Sequence, residues 1–288
     1  MLEALKQFEY NAEMDLSNLN PAQKEAVLDT TGPMMILAGA GSGKTRTIVN
    51  RIQYLIHEQK ISSSNILAMT FSNKAAKEMR ERVEREAGFP VGANFITTFH
   101  SFCARVLRQE ASYIGLSRNF SIYDDSESKS VIKAILGRRG ISLKETNPAE
   151  IKYFINELKN VGYFKGCEET DYFEDEFEID KSDLYFDIYE EYERELHVSN
   201  AVDFGGMIVG VIELFSKHPK ILARYQKRYK YLLVDEYQDT NRAQFYLIRM
   251  LSDLTKNICV VGDEDQSIYS WRGADIHNIL DFEKFYPN

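Results

Sequence analysis

Met34-Met35-Ile36-Leu37-Ala38-Gly39-Ala40-Gly41-Ser42-Gly43-Lys44-Thr45 decides how the rest of the chain is read. A short apolar run ends in a glycine-rich turn, and a stretch of helical period, 45–57, follows it. A strand, a loop of small residues and a helix opening on Lys-Thr form the arrangement of a phosphate-binding loop. Glycines at 39, 41 and 43 let the backbone turn tightly with successive N–H groups facing inward, and the new helix directs its positive end to the same point. Ala40, Gly41, Ser42 and Gly43 are therefore expected to cradle the phosphates of a nucleoside triphosphate. Lys44 would reach the β and γ phosphates, and the Thr45 hydroxyl would be a ligand of Mg²⁺. Ala38 stands where the general pattern has glycine, and a small residue suffices there.

Outward from this stretch, short apolar runs recur at 66–70, 95–99, 231–234 and 258–261. They are too brief for helices and rich in β-branched and bulky apolar residues, so they read as buried strands. Helix-period stretches at 74–86 and 101–113 follow the second and third strands. Alternating strand and helix predicts an α/β fold, a parallel sheet flanked by helices. From about Gly115 to Asn200 the pattern is mainly helical, at 126–136, 148–158 and 184–196, before strands resume near Tyr231. The expected organisation is a nucleotide-binding domain in two parts, 1–113 and 201–288, with a mainly helical domain, 114–200, inserted between them.

The 288 residues, 44% of them hydrophobic, are enough for two domains with real cores. No run of 18 apolar residues and no signal-peptide pattern is present, so a cytoplasmic protein without membrane contact is expected. Cys103, Cys167 and Cys259 lie far apart with no CxxC pair, which argues against a zinc site or a disulfide framework. The net charge of −9 would count against a nucleic-acid partner, but it is unevenly spread. Segment 168–195 holds 14 acidic residues against 2 basic ones, so the rest of the chain is net positive. That acidic run reads as a solvated face, with a surface for a basic protein partner, from repair or transcription, as the alternative.

The run 231–234 ends in Asp235-Glu236, which delivers two carboxylates to the C-terminal edge of the sheet, where open α/β folds bind ligands. Asp235 is expected to hold Mg²⁺, and Glu236 to orient and deprotonate the attacking water. An apolar run before Asp-Glu is weak evidence alone and becomes strong beside a phosphate loop. Gln266 follows the next strand at the same edge, where a lone glutamine is otherwise a solvated cap. Trp271, the chain's one tryptophan, sits beside Tyr269 and Arg272 in a polar, glycine-containing stretch. Bases stack on such rings for roughly 1–3 kcal/mol each regardless of sequence; a plug of the sheet edge is the alternative for Trp271. Lys74, Lys77, Arg80 and Arg82 either meet backbone phosphates or form a solvated helix face.

Six segments then fall in a telling order: Asn20-Pro21-Ala22-Gln23, AGAGSGKT (38–45), TFSNKAAKEM (70–79), TFHSF (98–102), VDEYQDTN (234–241) and VVGDEDQSIYSWRGAD (260–275). Together they resemble the motif series of the UvrD/PcrA/Rep family of superfamily 1 DNA helicases, over Asn20 to about Leu107 and from Val202 onward. The resemblance implies a RecA-like P-loop NTPase domain, 1A, carrying an inserted domain, 1B. It implies that Gln23 reads the adenine edge, that Arg46 lies against the base and that Gln266 couples the γ-phosphate to DNA. DNA contacts would come from Phe71, Asn73, His100, Tyr269, Trp271 and Arg272, with Phe71 and His100 each opening a loop after a strand. The implied activity is ATP- and Mg²⁺-dependent 3′-to-5′ movement along single-stranded DNA and strand separation at single-strand/duplex junctions. Where the family usually carries Asp-Phe-Asp-Asp, this chain has Asp203-Phe204-Gly205-Gly206. The sequence stops at Asn288, before the family's second motor domain, so a fragment of domains 1A and 1B without 2A and 2B is expected, monomeric and weak or inactive in hydrolysis by itself.

Overall fold

A computed structural model describes residues 14–87, 92, 95–144, 146–167, 183–263, 274–275, 277–280 and 282–287. The chain first runs through α1 (Pro21–Leu28), β1 (Met34–Leu37), α2 (Lys44–His57), β2 (Ile66–Thr70), α3 (Asn73–Ala87), β3 (Ile96–Thr98) and α4 (Phe99–Gln109). It continues through β4 (Ser121–Tyr123), α5 (Asp125–Arg138), α6 (Pro148–Asn160), α7 (Leu184–Val198) and β5 (Ala201–Asp203). It then passes through α8 (Phe204–Lys217), α9 (Pro219–Arg228), β6 (Tyr231–Val234), α10 (Arg242–Ser252), β7 (Ile258–Gly262), α11 (His277–Leu280) and α12 (Phe282–Phe285).

The apolar runs pair as a parallel sheet in the order β1-β7-β6-β2-β3. Every residue of β2 and β7 is buried, as expected for strands covered on both faces. One face packs against Ile48, Ile52 and Leu55 of α2 and Met79 and Val83 of α3. The core on the other face runs unbroken from Leu67, Val234 and Val260 through α4, α8 and α10 to Ile132 of α5, Ile155 of α6 and Tyr192 of α7. The strand order places the ends of β1, β7 and β6 side by side, with Leu37 opposite Gly262 and Val234 opposite Val260. The loops that follow these strands therefore meet at one edge.

Two features depart from the expectations. The strand expected over 95–99 is shorter, because the Thr98 side chain accepts the Ser101 N–H and starts α4 at Phe99. The helical segment is also bounded by a parallel pair, β4 beside β5, with Ser121 opposite Ala201. Strands of three residues are too short to leave a periodic signal in the sequence.

β5 feeds straight into α8, and its last residue, Asp203, is the N-cap. Its buried carboxylate accepts from Gly206 N–H at 2.8 Å, Lys152 Nζ at 2.8 Å, Lys159 Nζ at 2.7 Å and Tyr192 Oη at 2.9 Å. Burial alone would raise this carboxyl, but the charges of Lys159 and Lys152 outweigh it and hold it well below the usual carboxylate range. Lys159 also meets Glu193 at 2.6 Å. The glycines at 205 and 206 make room for this cluster. A Cβ on Gly205 would lie 2.9 Å from Lys159 Cβ, and one on Gly206 would lie 2.8 Å from Asp203 Oδ1.

Residues 168–182 of the acidic run lie outside the described residues. Of its remainder, Glu191 and Glu195 are spent on α5, meeting Arg138 at 3.1 and 2.7 Å, and Arg139 Nε meets Glu191 at 2.8 Å. Cys103, Cys167 and Cys259 are all buried and form no disulfide. Burial raises the Cys103 thiol well above its ordinary value and pushes Cys259 up to about 11. Among the described residues no helix is long and apolar enough to cross a membrane.

Candidate nucleotide site and nucleic-acid face

The loop after β1 turns through Gly41 at φ +73° and Gly43 at φ +90°, left-handed conformations that residues with a side chain rarely adopt. Gly39 is not in that region, so the conformational demand rests on positions 41 and 43. Gly43 serves a second purpose, since a Cβ there would lie 2.7 Å from Gln23 Nε2. Gln23 itself completes a capping box at the start of α1. Its N–H donates to Asn20 Oδ1 at 2.9 Å, and its Oε1 accepts the Asn20 N–H at 3.1 Å. Its Nε2 donates to the Ser42 carbonyl at 2.7 Å, so the structure places the Gln23 amide against the loop backbone.

Lys44 opens α2 and extends its ammonium under the loop, donating to the Ala38 carbonyl at 3.0 Å and to Asp263 Oδ2 at 2.9 Å. Thr45 is half-buried beside it, and Arg46 is exposed one residue further along. Residues 39–46 line a cavity of about 380 Å³ together with Glu236 and Arg82. Arg82, grouped from sequence with a basic helix face, thus reaches the rim of this cavity. Nothing in its local sequence separates it from its neighbours, because the distinction comes from how α3 packs on α2.

Asp235 follows β6 and is buried, its N–H donating to the Met69 carbonyl at 3.0 Å. Burial, and then the charge of Glu236, push its carboxyl up to about 7. Asp239 is pushed up to about 6 by the same two causes in the same order. Asp235 Oδ1 and Asp239 Oδ1 are both buried without a hydrogen-bond partner. Unsatisfied buried carboxylate oxygens are costly, and a bound cation is one way to satisfy them. Among the described residues no group of three or more His, Cys, Asp or Glu converges to hold a metal. Such a donor set fits an ion that takes most of its ligands from phosphate and water, as Mg²⁺ does.

On the same edge, Phe71 lies half-buried in the bend after β2, and Asn73 opens α3 exposed to solvent. His100 does not open a loop, as expected from sequence; it sits in the first turn of α4, for the capping reason given above. Burial lowers its pKa, which keeps the imidazole neutral at neutral pH. Its ring meets Phe204 edge-on, with centroids 5.6 Å apart. Phe204 is 56% exposed although it is the first residue of an otherwise apolar helix. Sequence reasoning missed it, and the available signal was an aromatic residue directly after a helix N-cap. Lys74 and Lys77 are solvated and face Glu78 and Glu81 one turn on, at 4.0 and 3.8 Å. Gln266, Tyr269, Trp271 and Arg272 lie outside the described residues.

Comparison with known proteins identifies relatives of this chain. The sequence model of the family described as UvrD/REP helicase N-terminal domain covers residues 19–287. The chain is 48% identical over 277 residues to the ATP-dependent DNA helicase PcrA of Bacillus subtilis, covering 95% of this chain and 36% of that protein. It is 47% identical over 276 residues to the protein of the same description from Staphylococcus aureus, covering 94% and 37%. The counterpart in Staphylococcus epidermidis is 47% identical over 272 residues, with the same two coverages of 94% and 37%. The chain thus spans little more than a third of the length of these relatives.

Proposed function

The chain belongs to the UvrD/REP helicase N-terminal domain family, and from that premise we propose that it is the nucleotide-holding part of an ATP-driven DNA helicase. The protein moves 3′ to 5′ along single-stranded DNA and separates strands at single-strand/duplex junctions. Residues 1–113 and 201–288 act as the RecA-like domain and 114–200 as its helical insertion.

In this reading the backbone from Ala40 to Thr45 holds the phosphates, and Lys44 exchanges Asp263 for the β and γ phosphates. Thr45 and Asp235 would hold Mg²⁺, which would supply positive charge to offset that of the phosphate oxygens. Glu236 orients the water and takes its proton. Gln23 and Arg46 take the base, and Gln266 couples the γ-phosphate to DNA. Phe71, Asn73, His100, Tyr269, Trp271 and Arg272 form the face for single-stranded DNA. Phe204, exposed against His100, adds a ring to that face.

The observation that carries this reading is the shared cavity, onto which the loop, Lys44 and Glu236 all open, with the unsatisfied Asp235 behind Glu236 in the chain. The test has two arms. A fluorescent ATP analogue titrated with Mg²⁺ should give a saturable signal that Lys44→Ala abolishes or weakens at least tenfold. The full-length protein should separate 3′-tailed duplexes and leave 5′-tailed ones paired. Absence of saturable binding at millimolar analogue would remove the nucleotide site, and equal action on both tails would remove the directionality.

A further inference from the structure

Glu236 sits in the left-handed region at φ +52°, a conformation that costs a non-glycine residue energy and that its surroundings must hold in place. One side chain is placed to do so. Gln238, 1% exposed in the short turn after β6, donates from Nε2 to Glu236 Oε2 at 2.8 Å. Its Oε1 accepts the main-chain N–H of Asp263 at 3.0 Å. Because that N–H can only donate, it settles which end of the amide is oxygen, and the NH₂ must then face the Glu236 carboxylate.

Asp263 is the residue whose carboxylate holds Lys44 at 2.9 Å. A continuous path of polar contacts therefore joins the phosphate-loop lysine to the glutamate, through the carboxylate and N–H of Asp263 and the amide of Gln238. Gly262 belongs to the same device. A Cβ there would come within 3.1 Å of Gln238 Oε1 and 3.5 Å of the Gln238 nitrogen, so the absence of a side chain lets the amide sit against the tip of β7.

We propose that Gln238 is the positioning residue for Glu236, tying the orientation of the glutamate to the tip of β7 and through it to the state of Lys44. When Lys44 is paired with Asp263, the tip of β7 is held from both sides. When Lys44 turns to phosphate, it leaves the Asp263 carboxylate, while the Asp263 N–H continues to hold Gln238. This inference rests on the reading of Glu236 as the water-activating residue. It adds that the glutamate alone is not sufficient.

The test is DNA-stimulated ATP turnover of the full-length protein, with binding of a fluorescent ATP analogue measured alongside. Gln238→Ala and Gln238→Glu should lower kcat at least tenfold while changing KM and analogue affinity by less than twofold, since Gln238 does not line the nucleotide cavity. Gly262→Ala should give a smaller loss, about threefold, again confined to kcat. That variant leaves Gln238 itself intact, so it keeps the idea testable if the buried substitutions fail to fold. Glu236→Gln, run in parallel, separates the two claims. If Glu236→Gln abolishes turnover while the Gln238 and Gly262 variants keep the wild-type kcat, the positioning role is wrong and the reading of Glu236 stands. If Glu236→Gln retains turnover, both fall. Equal losses in kcat and analogue affinity in every folded variant would mean that Gln238 only supports the fold, and would also overturn the proposal.

Discussion

Lys44 and Lys159 hold an aspartate at nearly the same distance, 2.9 Å to Asp263 and 2.7 Å to Asp203, in very different surroundings. The side chain of Lys159 is 1% exposed, and its partner Asp203 collects three further donors from α6, α7 and the α8 backbone. Lys44 is 11% exposed, has one carboxylate and one carbonyl for company, and borders a cavity large enough for phosphates. Lys159 and Asp203 also border a cavity, of about 490 Å³, but Asp203 gathers four donors and Lys159 two carboxylates, so a change of partner there would leave buried charges uncompensated. Lys44, with one carboxylate and one carbonyl, can exchange the carboxylate for a phosphate at little cost, because an anion replaces an anion. The first contact builds the junction between sheet and insert; the second is the one proposed to yield to phosphate.

The largest effect should come from the junction. Asp203→Asn leaves Lys152 buried without its counter-charge and Lys159 with Glu193 alone, and should lower stability by about 3–5 kcal/mol in urea denaturation at pH 7. The sign of its pH dependence follows from the depressed carboxyl. Stability from the Asp203 charge is fully present above the unfolded value of about 3.9 and is lost as pH falls toward the lower folded value. The gap between wild type and Asp203→Asn should therefore hold from neutrality down to about pH 4 and narrow below it. A gap under 1 kcal/mol at pH 7 would erase the distinction between the two lysines.

Smaller is the effect of crowding the same junction. Gly205→Ala sets a methyl 2.9 Å from Lys159 Cβ, and this should cost about 1–3 kcal/mol in thermal unfolding. An unchanged melting temperature would show that α6 and α8 separate more readily than their shared core suggests. Smallest is Asp263→Asn in the nucleotide loop. It should cost about 1 kcal/mol, because the asparagine oxygen can still accept from Lys44, which also keeps the Ala38 carbonyl. A loss as large as that of Asp203→Asn would make the Lys44 contact structural.

Much of this was legible in the residues, for reasons that differ by region. The strands of the sheet announce themselves because both of their faces are buried, so Ile66–Thr70 and Ile258–Gly262 read as unbroken apolar runs. The phosphate loop is legible because its geometry demands glycine where few other residues fit, at 41 and 43. The flanking pair β4–β5 left no trace, since three residues cannot show a period. The network around Asp203 was invisible for another reason: Lys152 and Lys159 lie two turns apart on α6 and Tyr192 on α7, and only packing brings them to one carboxylate on β5. The glycines at 205 and 206 looked like missing acids, while in the fold they are the space that Lys159 occupies. Gln238 and Arg82 sit within or near recognised motifs, yet their partners depend on strand order and helix packing, which residue spacing does not encode.

The three buried thiols carry a practical consequence. Reagents such as maleimides attack thiolates they can reach, and burial denies them Cys103, Cys167 and Cys259 while holding the first and last in the protonated form. A cysteine introduced on the surface, for example Val198→Cys at a position 83% exposed on α7, would be the thiol that takes the label. With its three thiols shielded, this chain can serve as an unreactive background for fluorescence and spin-label distance measurements without their removal.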